Sequence, residues 1–242
     1  MKKQRPHLLI IGLILAIFTF TGSCQTSQPQ AYKAPPRKPY NPDPNRFLTA
    51  IEDFRLNEFH LNPPENPILF VGSSSFRLWD SLEMEYERFT VINRGFGGSI
   101  MRDVLYFFDD LVLHYRPRAI FIYEGDNDIS GGMKPEEAAA DFENFVARVR
   151  EELGDIPLFF VLPKPSGSRW HLRRRYKELS SLLEVLAVGD EGITLLDTWD
   201  LFLTEEGKVN EELFLPDRLH LSEAGYDVWR GVIGPILEEL EG

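Results

Sequence analysis

A chain of 242 residues, 43% hydrophobic and 26% charged, has the size and mix of one globular domain with a tail. Its 38 acidic residues outnumber 26 basic ones, and the formal net charge of −12 argues against nucleic acid as a main partner. With a single cysteine, Cys24, no intramolecular disulfide can form.

Residues 1–23 stand apart from the rest. Lys2, Lys3 and Arg5 precede an unbroken apolar run from Leu8 to Phe20, closed by the small residues Gly22 and Ser23, which is the order of a secretory signal peptide. The run is short for a membrane-spanning helix, which needs about 20 apolar residues. Cys24 follows in "FTFTGSC", which resembles the lipobox of bacterial lipoproteins, with Thr21 where an aliphatic residue is usual. The resemblance implies cleavage before Cys24, lipidation of that cysteine and a membrane-anchored place in the bacterial cell envelope, periplasmic or surface-facing. A plain secretory signal, or an uncleaved anchor whose cysteine has no role, is the alternative. Loss of residues 1–23 removes three bases and no acid, so the remaining body is more acidic still. Residues 24–46, rich in Pro and polar side chains without apolar periodicity, are expected to form an extended tether.

From residue 47 to 242 short apolar runs alternate with amphipathic stretches. The runs Ile68 to Val71, Phe89 to Ile92, Ala119 to Tyr123, Ile156 to Leu162 and Ile193 to Leu196 predict five buried strands. One helix is expected from Pro135, with Phe142, Phe145, Val146, Val149 and Leu153 on one face and Gly154 just past its end. Another should begin after Ser222 as N-cap, with Trp229, Val232, Ile233, Ile236, Leu237 and Leu240 along one stripe. This alternation predicts an α/β fold: a parallel sheet with helices on both faces and its working groups at the carboxyl ends of the strands.

Four stretches at strand ends or helix starts carry candidate chemistry. After the first run comes "VGSSSFRLW", where Ser73, Ser74 and Ser75 either supply a nucleophile at a helix start or merely cap the helix. After the second, Gly95, Gly97 and Gly98 either offer backbone N–H groups to an anion or form a plain turn. The third run ends in "EGDND", which places Asn127 between two acids. Near the C-terminus, Asp217 and His220 lie three apart in "PDRLH", a spacing that lets the carboxylate accept the imidazole Nδ1–H and leave Nε2 free as a base. His7, His60, His114 and His171 lack such a context.

In this order, the four stretches resemble the blocks of the SGNH, or GDSL-like, hydrolases over roughly residues 66–240. Ser74 takes the nucleophile's place in "GSS", with Ser73 where the family usually has aspartate, so that register among Ser73, Ser74 and Ser75 stays open. The resemblance implies a three-layer α/β/α, flavodoxin-like fold of about five parallel strands. It further implies Ser74, Asp217 and His220 as the catalytic residues, and an oxyanion hole from the Ser74 and Gly98 backbone N–H groups and the Asn127 amide. Neither cofactor nor metal is implied.

Two other features compete for attention. Asp126 to Glu137 fits a calcium-loop template, but a strand leads into it, Lys134 intrudes and Asn127 already has a role, so no metal is expected. Arg169, Arg173, Arg174, Arg175 and Lys177, interleaved with Trp170 and Tyr176, are expected to form a solvated helix face, with contact to anionic lipid or polysaccharide as the lesser reading. Trp170 is also a candidate for the pocket rim. The expected activity is hydrolysis of a carboxylic ester, a short acyl group on a carbohydrate or other envelope ester. Lysophospholipase, thioesterase or acyltransferase activity with the same residues is the alternative, and a non-catalytic surface-binding lipoprotein is the alternative from another class.

Overall fold

A computed structural model describes residues 43–241. The signal segment, Cys24 and the tether up to residue 42 lie outside the described residues.

Five strands form one parallel sheet in the order β2-β1-β3-β4-β5: β1 (Ile68–Gly72), β2 (Val91–Gly95), β3 (Ala119–Tyr123), β4 (Leu158–Val161) and β5 (Ile193–Leu196). β1 and β3 are buried along their whole length, as near-continuous apolar runs require when both faces of a sheet are covered. Alternate residues feed two separate cores. Leu69, Val71, Ile120, Ile122 and Phe160 face one, together with the helices Pro135–Leu153 and Arg173–Val188. Phe70, Phe121 and Phe159 face the other, together with the helix Glu223–Glu239. These three rings are in register across β1, β3 and β4, with successive centroids 4.5 Å apart. This is the expected three-layer α/β/α arrangement.

The two long helices follow their sequence signals. Pro135 begins the first, the Glu137 carboxylate accepts the Lys134 N–H, and Gly154 ends it at a φ of 76°. The Ser222 hydroxyl accepts the Gly225 N–H, and Trp229, Ile233 and Leu237 are buried along the next helix.

The strand expected at Phe89 to Ile92 starts two residues later. Phe89 is buried in a 3-10 turn, and Thr90, at a φ of 55°, breaks the run before Val91. Burial made Phe89 apolar there, not extended pairing. Residues 44–46, read as the end of the tether, belong to a 3-10 turn (Pro44–Phe47), and Arg46 pairs with the buried Asp103.

β1 lies between β2 and β3, so the connections leaving β1 and entering β3 run to opposite sides of it. In open α/β sheets the crevice beyond the carboxyl ends at such a reversal is where ligands bind. Among the described residues, no helix is long and apolar enough to cross a membrane.

Candidate active site

Gly72 closes β1 at a φ of 144°, and a Cβ there would meet the Tyr123 carbonyl oxygen at 2.3 Å, so only glycine permits this turn. The Ser73 N–H then donates to that carbonyl, and a short helical turn, Ser74–Arg77, begins at once. None of the capping bonds expected of helix-start serines is made by the Ser73 side chain. Ser73 and Ser75 are buried, and the Ser75 hydroxyl accepts from Lys164 Nζ at 3.2 Å. Ser74 alone of the three faces the imidazole: its Oγ lies 3.0 Å from His220 Nε2.

The imidazole is held by its own loop. Asp217 Oδ2 lies 2.6 Å from His220 Nδ1, and Asp217 Oδ1 accepts the N–H groups of Leu219 and His220. Partial burial pushes the Asp217 carboxyl up, but the ring and the two amides outweigh it and bring the group down to about 2. The loop closes through a bond from the Leu215 N–H to the His220 carbonyl and through the Phe214–Leu221 bridge. Arg218 takes a left-handed φ of 59° between Asp217 and Leu219.

The side of the cleft that carries Gly98 and Asn127 is built on buried polar groups. Gly98 has a φ of 86°, and open space lies where a side chain would be. Among the described residues, neither its N–H nor that of Ser74 donates to another backbone group. Asn127 Nδ2 donates to the Ser99 carbonyl at 2.9 Å, while its Oδ1 accepts from Arg169 at 3.1 Å, so the side-chain amide has one orientation that satisfies both. The Gly98 loop is tied to the turn after β3 twice more: the Ser99 hydroxyl donates to Glu124, and the Met101 N–H donates to Asp128.

Beneath lies a chain of ionisable side chains that sequence reasoning missed. Lys164 Nζ donates to Tyr123 Oη at 2.9 Å, Tyr123 donates to Asp126, and Asp126 also accepts from Tyr176 and Arg169. Burial pushes Lys164 down to about 8, with Asp126 resisting. Burial would raise Asp126, but Lys164, Arg169 and their hydrogen-bonding neighbours hold it low. Burial raises Glu124 well above the usual carboxylate range, with Asp128 reinforcing the shift. A lysine between two prolines after an apolar strand, in "LPKPS", was the available signal for Lys164.

A cleft of about 500 Å³ opens over these groups, lined among others by Phe47, Ser74, Arg77, Gly98, Arg169 and His220. Trp170 is not among its lining residues. The indole instead stacks near Trp199 and under Arg173, and its neighbour Arg169 occupies the rim. The basic stretch is thus not one solvated face: Arg169 turns inward, Tyr176 is buried and Arg175 binds the Met133 carbonyl.

The calcium-loop template folds otherwise. Asp126–Ser130 is a helical turn, and Asp126, Asp128 and Glu137 each serve a different partner. Among the described residues, no group of three or more His, Cys, Asp or Glu side chains is placed to hold a metal ion.

With this geometry in place, the family model for the GDSL-like lipase/acylhydrolase family matches residues 70–228, well over half of the sequence. The chain belongs to this family. It is therefore a carboxylic ester hydrolase, and the matched segment runs from β1 to the middle of the last helix. Solved structures share the fold of this GDSL-family protein. A Streptococcus pneumonia protein assigned as a platelet activating factor superposes with a TM-score of 0.69 at 22% identity, covering 80% of this chain and 95% of its own. A GDSL-like lipase from Bacteroides thetaiotaomicron gives 0.65 at 18%, covering 82% and 98%. A catalytic mutant of an acetylxylan esterase from Geobacillus stearothermophilus gives 0.58 at 16%, covering 71% and 94%. No curated protein matches the sequence.

Proposed function

We propose that this GDSL-family protein hydrolyses a short acyl ester, carried by a carbohydrate or another component of the cell envelope, through an acyl-Ser74 intermediate. The observation that carries the reading is the continuous contact from Asp217 through His220 to Ser74, 2.6 Å and then 3.0 Å. His220 Nε2 takes the proton from Ser74 Oγ as it attacks the ester carbonyl, and Asp217 fixes the tautomer and stabilises the imidazolium. The tetrahedral oxyanion is held by the N–H groups of Ser74 and Gly98 and by Asn127 Nδ2. Protonated His220 then gives its proton to the leaving alcohol. Water, activated by the same ring, attacks the acyl-serine and releases the acid and free Ser74.

Arg169 supports this by holding Asn127 Oδ1, which keeps the amide nitrogen towards the Ser99 carbonyl and the Gly98 loop. The short acyl group rests on the modest cleft and on the fold shared with the acetylxylan esterase. Lipidation of Cys24 would hold the enzyme at a bacterial membrane, with the substrate within reach of the tether.

The test is hydrolysis of p-nitrophenyl acetate and longer p-nitrophenyl esters by the full chain and by Ser74→Ala. The substitution should lower kcat about 10⁵-fold or more. A serine-reactive phosphonate located by mass spectrometry should label Ser74 and neither neighbour. Activity surviving in Ser74→Ala would remove that residue from the mechanism, and acyl transfer to an added alcohol in preference to water would make the protein a transferase. Membrane release of a Cys24→Ala protein would test the anchor.

A further inference from the structure

The cleft above Ser74 has an unusual electrostatic lining for so acidic a protein. Two arginines, Arg77 and Arg169, line it, and no Asp or Glu does. The two differ in what they have left to offer. Arg169 is committed to Asp126 and Asn127. The Arg77 guanidinium has neither a hydrogen-bond nor an ion-pair partner among the described residues, whereas those of Arg55, Arg102, Arg148, Arg150, Arg218 and Arg230 each pair with a carboxylate.

Position makes Arg77 more than a stray surface charge. It is the third residue after Ser74 on the same helical turn, a spacing that sets the two side chains on one face. Its side chain lies against the loop that carries Gly98: a Cβ on Gly97 would meet Arg77 Nε at 2.7 Å. The glycine therefore makes room for a guanidinium beside the reacting centre. A guanidinium presents a planar fork of donors that matches two oxygens of a carboxylate or phosphate, and an unpaired one leaves that fork open.

We infer that the ester taken by this site carries an anionic group, carboxylate or phosphate, close to its scissile bond, and that Arg77 recognises it. The inference rests on the esterase reading above and narrows its substrate class. A uronate-bearing glycan and a glycerophosphate ester present the same chemistry, and the test separates them.

The full chain is offered two matched pairs: O-acetyl glucuronic acid against O-acetyl glucose, and 1-acetylglycerol 3-phosphate against 1-acetylglycerol. In at least one pair the wild type should favour the anionic member by about tenfold in kcat/KM, mainly through KM, a modest figure because Arg77 is exposed. The preference should shrink as salt rises from 0.1 M to 1 M and the screening length falls from about 10 Å to about 3 Å. Arg77→Gln should bring the ratio close to one, and Arg77→Lys, which keeps the charge without the fork, should retain part of it. Which pair shows the preference identifies the source of the anion. A ratio that Arg77→Gln leaves unchanged, or a wild type indifferent to charge, overturns the inference. A wild type that turns over p-nitrophenyl acetate but ignores the charge refutes this inference alone. One that hydrolyses neither refutes the esterase reading as well.

Discussion

His220 and Asp217 sit on a surface loop, with 26% and 48% of their side chains exposed. Asn127 and the Gly98 loop, by contrast, rest on a platform of buried Glu124, Asp126, Asp128 and Lys164, none more than 4% exposed. The loop half is organised locally, since Asp217 meets the ring and the amides of residues two and three ahead of it. The platform half draws on the ends of β1, β3 and β4 and on Arg169, with partners up to 89 residues apart. The exposed half needs little help from the fold, because water shares in solvating its charges. In the buried half each charge needs a partner, since an unpaired ion in a low-dielectric interior costs several kcal/mol. Position is thus set by a short turn on one side of the ester and by a network on the other.

Four substitutions can break or sharpen this contrast. The largest effect is expected from Asp217→Asn, which keeps the turn but loses the carboxylate, and kcat should fall about 10³- to 10⁴-fold while the thermal midpoint moves little. Because Asp217 is depressed to about 2 from an ordinary value near 4, its ionised form and any stability it lends are complete above about pH 4, and both are lost as pH falls towards 2. Wild-type kcat/KM should therefore show no limb from this carboxylate above about pH 4. A limb above pH 4 that disappears in Asp217→Asn would contradict the assignment.

Asn127→Ala comes next, with kcat down about 10²- to 10³-fold, or about 3 kcal/mol of transition-state stabilisation, and KM for p-nitrophenyl acetate nearly constant. Smaller again is Arg169→Met. It should lower kcat about tenfold by releasing Asn127, with partial rescue by Arg169→Lys, and should also lower the thermal midpoint because Asp126 loses one of its cationic neighbours. Equal losses in Asn127→Ala and in the Arg169→Met, Asn127→Ala double variant would show that Arg169 acts through the amide. The smallest effect is expected from Glu211→Gln, which breaks the exposed pair with Arg218 beside Asp217 and should change kcat less than twofold. A large loss there would mean that the loop half depends on more than its own turn.

Much of the fold could be read in advance because its elements are periodic and locally punctuated. Apolar runs, some of them bounded by Gly or Pro, marked the five strands, and Pro135, Gly154 and Ser222 marked helix ends, since propensity and capping act within a few residues. Two strands began later than their apolar runs, at Val91 and not Phe89 and at Leu158 and not Ile156, because burial and extended pairing both favour an apolar residue. Within the site, the Asp217–His220 spacing was legible for the same local reason. The choice among Ser73, Ser74 and Ser75 was not, because three adjacent hydroxyls differ only in which way the turn after Gly72 points them.

By itself, then, the sequence determined the layered α/β architecture, the order of the four site blocks and the Asp217–His220 turn, each governed by interactions between near neighbours. Only the tertiary structure decided that Ser74 meets the imidazole, that Arg169 and not Trp170 lines the cleft, that Lys164 is buried beneath it and that the Arg77 guanidinium is left without a partner among the described residues. Those are contacts between residues brought together by sheet order, and no spacing along the chain encodes the distance between two strand ends.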